Sequence, residues 1–99
     1  MEFKFVEKEN ELEITLAGRL DTMSSEDINA KVTEMASKMA GKMVTVDCSD
    51  LEYISSSGIR LLLYIRKSAA PGQTTLKGVR PEIMQILKVT KLDSMFTIA

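Results

Sequence analysis

Apolar residues recur along this chain in two rhythms, every second position in some stretches and every third or fourth in others. Phe3 to Val6 is apolar or aromatic apart from Lys4, which predicts an edge strand. The polar Glu7-Lys8-Glu9-Asn10 follows. Then Glu11 to Ala17 alternates strictly, with Leu12, Ile14 and Leu16 on one face, as a half-buried strand does. The polar tetrapeptide between them predicts a hairpin, and Gly18 is expected to end the second strand. Ser24-Ser25-Glu26-Asp27 reads as a helix start, with hydroxyls capping orphan N–H groups and carboxylates facing the positive end of the dipole. Ile28, Val32, Met35 and Met39, spaced by 4, 3 and 4, form one buried stripe, and Gly41 closes the helix in a left-handed cap.

Met43 to Cys48 is short and apolar and predicts a central strand, with Cys48 as a small hydrophobe within it. Ser49 to Ser57 is expected to be a loop that Gly58 ends, and Ile59 to Ala69 a second helix. Pro71-Gly72 makes a turn and Thr74 to Lys77 a strand. Arg80-Pro81-Glu82 opens a third helix that buries Ile83, Ile86 and Leu87. Met95 to Ile98 forms a last short strand or a docked turn. The order β-β-α-β-α-β-α-(β) predicts one α/β domain over residues 1–99, its crossover helices returning the chain to a partly parallel sheet. Neither an internal repeat nor a low-complexity linker interrupts it.

Composition narrows the chemistry. The charged fraction of 27% and hydrophobic fraction of 44% are those of a soluble globule. A net charge of −1 lacks the basic field that nucleic acid would need. The absence of histidine removes Ser–His–Asp and Cys–His triads and all His-based metal sites, and no cofactor motif stands in their place. One cysteine cannot form an intrachain disulfide, which fits a reducing, cytoplasmic setting. The longest apolar run, Leu61 to Ile65, is far short of a membrane span, and the start is too charged for a signal peptide.

Three serines and a glycine, Ser55-Ser56-Ser57-Gly58, stand between a strand and an apolar helix. They can cap the helix. They do not make a nucleophile elbow, because no glycine precedes the serines, no histidine exists as base, and nothing places a lysine nearby. A third use is as acceptor of a phosphate from another enzyme. At a helix N-terminus a phosphoserine meets free N–H groups and the positive dipole end, so the fold survives while a partner pressed there is repelled.

The stretch Val44-Thr45-Val46-Asp47-Cys48-Ser49-Asp50-Leu51-Glu52-Tyr53-Ile54-Ser55-Ser56-Ser57-Gly58-Ile59-Arg60-Leu61-Leu62-Leu63 resembles the signature of STAS domains, of which bacterial anti-sigma factor antagonists are the best-known members. Gly18-Arg19-Leu20-Asp21 is similar to that family's motif before its first helix. Leu76 to Ile83 and Leu92 to Phe96 are similar to its closing segment. The resemblance implies a mixed, mostly parallel sheet packed against three to four helices. It also implies a non-enzymatic, phosphorylation-switched module.

By this resemblance Ser57 is the phosphorylated residue, with Ser56 as the alternate acceptor. The partner-binding set is Asp21, Ser55, Ser56, Gly58, Leu61 and Ile65. The implied partners are a serine-kinase anti-sigma factor with a histidine-kinase-like ATPase fold and a serine phosphatase. The unmodified antagonist captures the kinase and frees the sigma factor; the phosphorylated one lets go. Where the family has an Asp before its two hydroxyl residues, this chain has Ser55. Other STAS domains are adaptor subunits of transporters or stress-signalling complexes, without obligatory phosphorylation, and that role is the alternative.

On the second helix, Arg60, Tyr64 and Lys67 share a polar arc opposite Ile59, Leu62 and Leu63. Leu61 and Ile65 fall at the margin. They either widen the core stripe or form the partly exposed centre of a partner site beside Ser57.

Overall fold

The computed structural model describes residues 1–99, with a Cα radius of gyration of 12.1 Å. The chain runs through β1 (Glu2–Glu7), β2 (Glu11–Leu20), α1 (Thr22–Met39), β3 (Met43–Ile54), α2 (Ser56–Ser68), β4 (Thr74–Lys77), α3 (Pro81–Val89) and β5 (Thr97–Ile98). The α/β class, the hairpin and the three helices are as the pattern predicts. Met95 to Ile98 ends in a two-residue strand.

The five strands lie in the order β1-β2-β3-β4-β5, with β1 antiparallel to β2 and every other neighbour parallel. Spatial order therefore equals chain order. Each β-α-β crossover steps one strand over in the same direction, and the right-handed rule then puts all three helices on one face. Burial agrees. Leu12, Ile14, Leu16, Val44, Val46, Cys48 and Leu76 point into the core beneath the helices. The alternate positions Glu13, Thr15, Thr45, Asp47, Thr75 and Lys77 are not buried. Register aligns Glu13, Thr45, Thr75 and Thr97 across four strands of that open face.

Four boundaries differ from the sequence expectation. First, β2 continues through Gly18 to Leu20, because Gly18 at φ +100° lets the strand shift register and resume pairing. Second, Ser49 to Ile54 is strand rather than loop. Its polar residues face outward while Leu51 and Ile54 are buried. Third, α2 begins at Ser56 rather than Ile59, so Ser56 and Ser57 are helix rather than loop and Ser55 is the residue before it. Fourth, α1 begins at Thr22, with Asp21 as its N-cap.

The α1 stripe of Ile28, Val32, Met35 and Met39 is buried. Gly41, at φ +75°, takes the left-handed conformation after that helix. In α3, Ile83 and Leu87 are buried and Ile86 is only partly so. Cys48 is buried, and its thiol is pushed up to about 12 by burial and by the neighbouring Asp47 charge.

Candidate functional site

Parallel β2 and β3 end side by side, Leu20 opposite Ile54, and each hands the chain directly to a helix. The N-termini of α1 and α2 therefore open together at the carboxyl edge of the sheet, where α/β sheets usually place their sites. The Ser55 amide donates to the Leu20 carbonyl at 2.9 Å, which ties the two junctions to each other.

At the α1 junction Asp21 and Ser24 form a capping box. The Ser24 amide donates to the Asp21 carboxylate at 3.0 Å, and the Asp21 amide donates to the Ser24 hydroxyl at 3.0 Å. These bonds, the backbone one first and that from the Ser24 hydroxyl second, hold the Asp21 carboxyl below the usual carboxylate range. An acid outcompetes the following serines for the cap because its charge also complements the helix dipole.

At the α2 junction Ser55 is the cap, accepting from the Gly58 amide at 3.1 Å. The Ser55 and Gly58 amides are thus engaged. Those of Ser56 and Ser57 are left for an outside acceptor.

Ser56 is exposed and Ser57 partly so. The guanidinium of Arg60, one turn on, donates from Nη2 to Ser57 Oγ at 3.0 Å. Ser57 and Arg60 line an open cleft of about 270 Å³ between the two helices, together with Ser25, Glu26, Asn29 and Leu61. From the sequence, Arg60 is placed only in the polar arc of the second helix, and Ser25 and Glu26 only at a helix start; none is joined to Ser57, and Asn29 is passed over. The signal was faint: Arg60 lies three residues after Ser57 on a helix, a spacing that brings side chains together.

The structure brings Asp21, Ser55 and Ser56 to this one edge and corrects three other expectations. Leu61 and Ile65 are 2% and 0% exposed, so neither is a partly exposed centre of a contact surface. They are buried because α2 packs on α1 as well as on the sheet, which turns its apolar stripe toward α1. Ile59 and Leu63, expected to face the core, are the partly buried ones. Gly58 is buried beneath Leu20 and Ile54 and offers no surface.

A family model described as "Mlab, STAS domain" matches residues 3–97. The chain belongs to the STAS domain family. This STAS domain is 26% identical over 86 residues to BtrV of Bordetella bronchiseptica, a protein named as an anti-sigma factor antagonist, covering 85% of this chain and 73% of that one. Its fold superposes on the anti-sigma factor antagonist SpoIIAA in its unphosphorylated form with a TM-score of 0.80, at 22% identity, over 99% of this chain and 88% of the other. The phosphorylated form of SpoIIAA, a Bacillus cell fate determinant, matches at 0.72 and 22% identity, over 99% and 91%. These structural likenesses establish the shared fold. No helix of this STAS domain is long and apolar enough to cross a membrane.

Proposed function

We propose that this STAS domain is an anti-sigma factor antagonist whose partner is a serine-kinase anti-sigma factor, and that phosphorylation of Ser57 turns the contact off. The observation that carries the reading is the setting of Ser57. Its hydroxyl stands in an open cleft on the first turn of α2, beside two amides with no partner in the chain. A phosphate there adds about −1.5 to −2 charge and three acceptor oxygens at the positive end of a helix, where the fold accommodates it. A partner seated on the same edge must instead desolvate a dianion. That costs several kcal/mol, and each ~1.4 kcal/mol is tenfold in affinity. A serine phosphatase would reset the switch.

The test is titration calorimetry with the cognate kinase. Ser57→Ala is expected to bind as the unmodified chain does, and Ser57→Asp at least about tenfold more weakly. Equal affinities of the two variants overturn the reading. Mass spectrometry after incubation with kinase and ATP separates Ser57 from Ser56.

A second reading, an adaptor subunit of a transporter or stress-signalling complex, is favoured by the neutral cap at Ser55, where the antagonist motif carries an acid. Recovery of transporter ATPase subunits rather than a soluble kinase in a pull-down supports the adaptor.

A further inference from the structure

We propose that Arg60 is a built-in receiver for the phosphoryl group on Ser57, with Ser25 as a second donor; the proposal rests on Ser57 being the modified residue. Three observations carry it. The start of α2 is positive without an anion: its first turn holds no acid, its cap is neutral, and two of its amides are free. Arg60 adds a guanidinium near that same end, where the helix dipole disfavours a cation. It makes no salt bridge with any carboxylate, although Glu26 lines the same cleft. Its guanidinium makes a single hydrogen bond, to Ser57 Oγ, although that fork carries five donors and suits a phosphate.

The third observation is independent. Ser25, on α1, is 3% exposed, and its Oγ has no hydrogen-bond partner, yet it lines this cleft. A buried hydroxyl without a partner is destabilising, and an acceptor entering the cleft relieves it.

In the transfer, Ser57 Oγ forms a bond to the γ-phosphorus of a nucleoside triphosphate held by the kinase. The bond from that phosphorus to the nucleoside diphosphate breaks, and the hydroxyl proton leaves to the kinase's base. Arg60 keeps all its protons and exchanges one contact with a hydroxyl for a two-point pair with the phosphate. The switch then acts twice. It places an anion in the cleft, and it withdraws Arg60 from any partner that used it. Glu26 is the like charge that opposes the arrangement.

The experiment uses the full chain with phosphoserine inserted at position 57 during translation, so that it is independent of any kinase. The second ionisation of the phosphate, about pKa 6 when free, is followed by phosphorus NMR. In the wild-type chain it is expected about one unit lower. Arg60→Gln should return it most of the way to 6, Arg60→Lys only part of the way, and Glu26→Gln should lower it further. Ser25→Ala should shrink the shift while leaving the unmodified protein at least as resistant to heat. A value near 6 in the wild type, or one that Arg60→Gln does not move, overturns the proposal. Failure of the kinase-binding switch itself would leave this titration unaffected, so the two ideas fall separately.

Discussion

At Gly58 a β-carbon would lie 2.7 Å from Cγ1 of Ile54 and 2.9 Å from both Cγ and Cδ2 of Leu20. The glycine therefore allows α2 to start flush against the ends of both strands. Gly58→Ala is expected to cost up to about 2 kcal/mol, an overpacking cost of roughly 1–3 kcal/mol offset by about 1 kcal/mol of helix propensity. A lowered denaturant midpoint with an unchanged slope would show it. From the sequence this glycine reads as the end of a loop, whereas it lies inside α2 as a packing contact, and that contact comes from residues four and thirty-eight positions away. Ser57 is named as an acceptor only by the motif around it. That Arg60 makes no salt bridge and the Ser25 hydroxyl has no partner could not be read from the sequence, because pairing is a property of the folded chain.

Among elements, α2 shows the limit of reading a helix alone. A wheel gives the width of the apolar stripe, but its direction depends on how many neighbours the helix touches. With α1 beside it and the sheet beneath, the buried side is Leu61, Leu62 and Ile65. Ile65→Ala is expected to cost about 2–5 kcal/mol, and Leu63→Ala clearly less. Equal losses in urea unfolding would mean that the stripe faces elsewhere. The apolar part of the α1 stripe was legible because its 4, 3, 4 spacing leaves a single narrow side, whereas the buried Ser25 at its start was not. The extension of β3 was hidden for the opposite reason. Ser49, Asp50, Glu52 and Tyr53 are the polar, outward positions of a strand end and look like loop when read singly.

For the whole molecule, the α/β class and element order follow from periodicity, and spatial order equals chain order because each crossover takes the nearest place. The same scale governs acid stability. Asp21 and Asp47 are each held below the ordinary aspartate value of 3.8 by hydrogen bonds, from Ser24 and from Ser49. Their unfolded forms bind protons more readily, so the stability they contribute is complete above 3.8 and lost as pH falls through the lower folded values. The chain has no histidine, the side chain that ordinarily titrates near neutrality, and burial pushes the Cys48 thiol up to about 12. Melting temperature is thus expected to stay level from about pH 6 to 8 and to decline below about pH 4, with Asp47→Asn flattening the decline. A decline centred near pH 6 would contradict this account.

A sheet threaded in the order of its sequence never asks a late strand to wedge itself between two earlier ones. Every residue lining the cleft, from Ser25 to Leu61, has been made by the time a ribosome reaches the end of α2 at Ser68. A nascent chain emerging N-terminus first therefore carries every residue of this edge before its final third has been made.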